Sequence, residues 1–162
     1  MLGRFLGDVR RNHALEHATV SLLLARLGPD LRLVGRASGD GFFIYGSIPS
    51  DVLAECAQEG LDRLQRGEEF WAVTSLCGTN LATAGILASL STMAVLGNGP
   101  RKGKVGNAIA ASMAAVTIAQ PLGRLIQRHI TTSPDVFDME IVGVEGKPNG
   151  RYHKVRTRHR GA

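Results

Sequence analysis

Charge is missing from this chain where its absence says most. From Phe70 to Pro100 there is no charged residue, and Val105 to Gly123 is a second uncharged run. Each is about the length needed to cross a bilayer core. Cysteine is also scarce: only Cys56 and Cys77 are present, which excludes a disulfide-stapled scaffold. The first eight residues, MLGRFLGD, lack the apolar run of a secretory signal, which predicts against secretion by that route. No internal repeat and no low-complexity segment interrupts the 162 residues, a length that allows one domain with a real core or a smaller domain plus an appended element.

The charge that is present is uneven. The net charge is +5, yet residues 1–79 carry 8 Lys/Arg against 10 Asp/Glu, while residues 120–162 carry 8 against 4. Basic character belongs to the C-terminal tail (Arg151, Lys154, Arg156, Arg158, Arg160) and to the short loop at Arg101, Lys102 and Lys104. No recognition motif or aromatic stacking platform accompanies the tail, so nucleic acid is not the expected partner. Beside a membrane, attraction to anionic headgroups is the simpler account, and an inert solvated strand end remains open.

The most informative stretch is Asn12-His13-Ala14-Leu15-Glu16-His17-Ala18-Thr19. It reads as the start of a helix over 12–27, after an amphipathic lead-in at 1–11, and stops at Gly28-Pro29. On a helix, His13, Glu16 and His17 share roughly one third of the circumference. Two imidazoles one turn apart reach a single ion, and a carboxylate beside them takes a proton from an ion-bound water. The segment is apolar nearly all round, so these groups are expected inside the protein, where each needs a partner. The alternative is that Asn12 caps the helix, Glu16 favours its positive end and the histidines bond to backbone at the rim.

Further on, residues 31–36 and 41–48 read as a hairpin about Ser38-Gly39-Asp40-Gly41. Pro49-Ser50-Asp51 opens a second helix with Val52, Leu53, Cys56, Gly60 and Leu64 inward. Its carboxylates Glu55, Glu59 and Asp62 lie mostly on the other face, and Glu59–Arg63 and Asp62–Arg66 are favourable four-residue pairs. Phe70–Leu76 is expected as a third strand, leading into Cys77-Gly78-Thr79-Asn80. Leu81–Leu96 and Val105–Gly123 are expected to form a transmembrane helical hairpin, disturbed near its end by Gln120-Pro121. Gly85, Ser89 and Met93 on one helix, with Gly106, Ala110 and Ala114 on the other, suit close approach of two backbones. The alternative is a pair of buried helices in a soluble oligomer, since the mean hydropathy of the chain is +0.02. Residues 136–144 read as a strand, 145–150 as a turn, and 151–158 as an edge strand pairing back.

A zinc site on His13 and His17 needs a third ligand, and Cys77, at a predicted helix start, is the best placed, with a small buried hydrophobe as its other reading. Asp138, Glu140 and His153 are weaker candidates in strand positions expected to face solvent, and Cys56 is expected to fill core space. Glu16 is the expected general base. His13-Ala14-Leu15-Glu16-His17 resembles the inverted zincin signature of the pitrilysin and insulin-degrading metallopeptidases. That resemblance implies zinc on both histidines, the glutamate as base and a glutamate on a later helix as third ligand; here the later Glu55 and Glu59 sit on a charged helix face. The chain from about 10 to 125 also resembles a family of small bacterial membrane proteins, through Asn12–Thr19, Gly41-Phe42-Phe43-Ile44-Tyr45-Gly46 and Cys77-Gly78-Thr79-Asn80-Leu81. This resemblance implies that the histidine helix and the Cys-Gly-Thr-Asn turn are parts of one site.

The expected architecture is α+β: a small mixed domain with antiparallel strands at 1–79 and 133–162, interrupted by a membrane-embedded helical hairpin at 80–128. The expected function is a metal-dependent membrane hydrolase, in the peptidase direction, with zinc or another divalent transition metal on His13, His17 and Cys77 and with Glu16 catalytic. Its partners would be membrane lipids and a second copy or membrane protein docked through the small-residue hairpin, with the soluble part cytoplasmic. A non-catalytic membrane assembly subunit and a thiol enzyme using Cys77 with His13 or His17 are the competing readings.

Overall fold

The computed structural model describes residues 2–97, 103–146 and 152–159. It is a mixed helix and sheet protein, as the sequence predicts, and divides into two compact units: Met1–Thr74 with Arg128–Ala162, and Ser75–Gln127.

The first unit carries α1 (Leu2–Leu27), β1 (Val34–Ser38), β2 (Gly41–Tyr45), α2 (Ser50–Gln65), β3 (Met139–Gly146) and β4 (Tyr152–His159). The four strands make one antiparallel sheet in the order β1-β2-β4-β3. Both helices pack on one face of it. Strand alternation sends Phe42 and Ile44 of β2 and Val155 of β4 inward, against Leu15 and Leu23 of α1 and Leu53, Leu61 and Leu64 of α2. The two helices approach closely because Gly60 faces Ala18, where an added Cβ would lie 3.1 Å from the alanine methyl. The tight turn of the hairpin relies on Gly41 at φ 139°, where an added Cβ would run into the Val155 carbonyl.

Several expectations are corrected. The site helix does not begin at Asn12; α1 runs unbroken from Leu2, and Asn12 is fully buried within it. Its side chain bridges two strands instead of capping a helix, donating to the Ser38 carbonyl at 2.9 Å and accepting from Thr157 at 2.6 Å. Strand β4 is not an edge: it pairs with β2 on one side and β3 on the other. Its charges did not prevent this because they alternate outward and meet carboxylates there, Lys154 with Asp40, Arg156 with Glu145 and Arg158 with Glu140. Phe70–Leu76 forms no strand. Glu69–Ala72 is a 3-10 turn, held where Trp71 donates to Glu68 and the Arg63 guanidinium covers the indole. An aromatic cluster does accompany the basic strand: Phe43, Tyr45 and Tyr152 gather on the outer face with ring centroids 5.5–6.4 Å apart, and Lys154 lies over Phe43. Of the expected turn at 145–150, Glu145 and Gly146 belong to β3, and 147–150, like Arg101, Lys102, Arg151 and Arg160, lie outside the described residues.

The second unit is a hairpin of α3 (Gly78–Leu96) and α4 (Val105–Ile126), and α4 continues as a π turn over Gln127–Thr131. Pro121 does not end α4; it is exposed, away from the partner helix, and the irregularity comes later, at the π turn. The hairpin's pattern is inverted relative to a soluble domain. Polar groups are inside, with Gln127 donating to Asn80 at 2.9 Å and Thr92 bonded to Ser112 at 2.6 Å. Leu81, Ile86, Leu90, Met93, Ile109, Met113 and Ile118 point out. Both helices are long and apolar enough to cross a membrane, with only 17% of either window buried. The close approach uses Ala84, Ala108, Ala115, Ala119 and Gly123. The anticipated stripe is on the opposite side: Gly85, Ser89, Met93, Gly106, Ala110 and Ala114 are all exposed, and nothing lies within 4 Å of where a Cβ would stand on either glycine.

Because Asn12 satisfies two polar groups at once, Asn12→Ala strands a buried carbonyl and a hydroxyl. The expected cost is about 1–3 kcal/mol, read as a lower melting temperature of the full chain in detergent; an unchanged melt contradicts the bridging role.

Candidate metal centre

The buried stripe of α1 contains more polar atoms than a core helix tolerates without reason. Asn12, Glu16, His17 and Thr19 are all buried, with His17 2% and Glu16 7% exposed. Thr19 returns its hydroxyl proton to the Leu15 carbonyl one turn back.

The two histidines are fixed in the same way. His17 Nδ1 donates to the Ala72 carbonyl at 2.8 Å, and His13 Nδ1 donates to the Thr131 carbonyl at 2.9 Å. A carbonyl oxygen only accepts, so in both rings the proton is on Nδ1, and the neutral tautomer leaves the Nε2 lone pair forward. The rings meet edge to face with centroids 4.4 Å apart. His17 Nε2 is buried and has no hydrogen-bonding partner among the described residues. Histidines that hold metal ions commonly give their other ring proton to a backbone carbonyl in this manner.

Glu16 joins them from the same helix. Its Oε2 is 3.8 Å from His13 Nε2, which sets a carboxylate oxygen against a ring nitrogen that has no proton in that tautomer. The carboxylate lies on β1 because position 35 is glycine: a Cβ there would fall 1.8 Å from Glu16 Oε1.

The remaining sequence candidates come from other elements of the chain. Cys77 belongs to the hairpin unit, where it caps α3 and its Sγ accepts from the Thr79 amide at 3.4 Å. Asp138 meets His159 at 3.3 Å, and Glu140 pairs with Arg158. His153 is not solvent-facing as expected: it is 1% exposed beneath β4, near Ser50. Cys56 fills core space, and burial pushes its thiol up. Hydrogen bonds from Arg26 and Arg63 hold the Glu59 carboxyl below the usual range, so it is committed to the surface. Asp62 accepts from Gln58 and Arg66 pairs with Glu68, in place of the Asp62–Arg66 pair. Sequence reasoning missed Gly35 and the carbonyls of Ala72 and Thr131. Only Gly35 left a signal, as a glycine inside a strand pattern.

Gly35→Ala tests the placement of Glu16. The obstructing atom ends a flexible side chain, so the variant is expected to melt within a few degrees of the parent while the Glu16 carboxyl carbon resonance shifts. An unmoved resonance contradicts the packing of Glu16 on Gly35.

Comparison with known proteins adds kinship. A relative from Picosynechococcus sp. (strain ATCC 27264 / PCC 7002 / PR-6), itself described as an uncharacterized protein, is 34% identical over 138 residues, covering 77% of this chain and 66% of the relative. No solved structure matches. A family model matches residues 8–144, and the chain belongs to that family, DUF6391, a domain of unknown function.

Proposed function

We propose that this chain is a metal-dependent, membrane-associated hydrolase acting on an amide or peptide bond. The observation that supports it is the buried His17 Nε2, with no hydrogen-bonding partner among the described residues, on a ring whose tautomer is set by the Ala72 carbonyl. A buried imidazole acceptor left in that state costs about 1–3 kcal/mol, and a divalent cation shared with His13 removes the cost.

In this reading His13 and His17 bind zinc, or another divalent transition metal, through Nε2, and Cys77 is the third donor. Two imidazoles and a thiolate are a donor set zinc accepts, with water in the fourth position. Chain length supports Cys77, because it stands five positions on from Ala72, whose carbonyl bonds His17. Five residues span at most roughly 17 Å. The bound metal would polarise a substrate carbonyl and bring the pKa of its water to about 7. Glu16 takes the proton of the attacking water and returns it to the leaving nitrogen, so that water adds across the C–N bond to give an acid and an amine.

The hairpin supports a membrane setting for this reading: its outward Leu, Ile and Met side chains suit lipid, and its polar pairs are internal. Its exposed small residues suit a second copy or another membrane helix. A cytoplasmic sheet unit is part of this reading, although basic residues stand at both ends of the hairpin, Arg124 and Arg128 at one and Arg101, Lys102 and Lys104 in the loop.

The test is the metal content of the full chain purified without a histidine tag. About one zinc or other transition-metal ion per chain is expected, lost in His13→Ala/His17→Ala. Glu16→Gln is expected to keep the metal but lower hydrolysis of a quenched fluorescent peptide mixture by about 100-fold or more. A chain that is metal-free and takes up no added Zn²⁺ overturns the reading. Bound metal with Glu16→Gln fully active removes the assigned base.

A further inference from the structure

We propose that Arg10 is a positioning residue for His13, acting through the π turn that ends α4; the inference rests on the metal reading of His13. The acceptor that sets the His13 tautomer is the Thr131 carbonyl, at the last residue of that turn. A π turn leaves carbonyls out of the usual helical register, and such turns recur at functional sites. Left to itself, this one would not hold Thr131 in a fixed direction.

Arg10 holds it through three hydrogen bonds. Arg10 Nη2 donates to the His129 carbonyl at 3.1 Å and to the Thr132 carbonyl at 3.2 Å, and the Ser133 amide donates to the Arg10 carbonyl at 3.0 Å. These anchors bracket Thr131 on both sides. Arg10 and His13 are three residues apart on α1, so they share a face and reach the same turn together. Bonds from a guanidinium are about twice as strong as neutral ones, which suits a clamp on carbonyls with no helical partner.

Arg10 thus touches neither metal nor substrate. It aims the Thr131 carbonyl, the carbonyl keeps the proton on His13 Nδ1, and Nε2 remains the donor. Neighbouring Arg11 is the built-in control, because it faces Asp8 and Asp135 at 3.6 Å and makes no such clamp.

The experiment uses the full chain in detergent with two readouts: the imidazole nitrogen spectrum of metal-free protein, which reports the His13 tautomer, and Zn²⁺ affinity by chelator competition. Arg10→Met is expected to mix the tautomers and to weaken Zn²⁺ binding by about 10–100-fold, while Arg11→Met leaves both as in the parent. Arg10→Lys, which keeps the charge on a single donor head, is measured beside it and decides the matter if Arg10→Met does not fold. An Arg10 variant that keeps the Nδ1–H tautomer and binds Zn²⁺ within twofold of the parent overturns the inference. A parent that takes no Zn²⁺ overturns the metal reading instead, and the tautomer readout still decides the role of Arg10.

Discussion

An imidazole that gives its Nδ1 proton to a backbone carbonyl has one ring nitrogen left, and both histidines of α1 are in that position. The two carbonyls come from far apart in sequence, Ala72 in a 3-10 turn and Thr131 in a π turn. Each is available because its segment departs from regular structure there: a carbonyl inside a regular α-helix or a central strand would already have its backbone partner. The irregular turns and the paired rings therefore depend on one another. Replacing either turn with ideal secondary structure would free a ring to rotate and exchange tautomers.

The same helix carries its polar load unevenly. Asn12 spends both ends of its amide on β1 and β4, and Thr19 bonds its own backbone, so both are settled by geometry alone. Glu16 and His17 are different. They are ionisable, and they are buried beside a core of Leu, Ile, Val, Phe, Ala, Met139 and Cys56.

Local signals in the sequence were sufficient for the histidine helix, the β1–β2 hairpin, α2 and the two apolar helices, because each is written in adjacent residues. What they could not reveal was long-range. β4 looks like an edge strand when Lys154, Arg156 and Arg158 are read alone, and becomes central once Asp40, Glu140 and Glu145 are brought alongside. Phe70–Leu76 has strand-like composition, but the nearby Arg63 and Glu68 take hold of Trp71 and curl the chain. The hairpin offered two sets of small residues at four-residue spacing, and periodicity cannot say which set meets the other helix. The polar pairs Asn80–Gln127 and Thr92–Ser112 decide it. For the site, the histidines and Glu16 were legible as a motif, whereas backbone acceptors have no letter in the sequence.

The position of β4 between β2 and β3 has a consequence for biosynthesis. Everything up to α2 leaves the ribosome with β2 exposed along one side, and its neighbour is synthesised only after both apolar helices have been made. Domains that close through such distant pairings fold slowly, and late. Thr131 also lies beyond the hairpin, so His13 gains its acceptor only in the same late stage. A nascent chain halted before α4 has the complete His-x-x-Glu-His helix but not the Thr131 carbonyl that fixes the His13 ring.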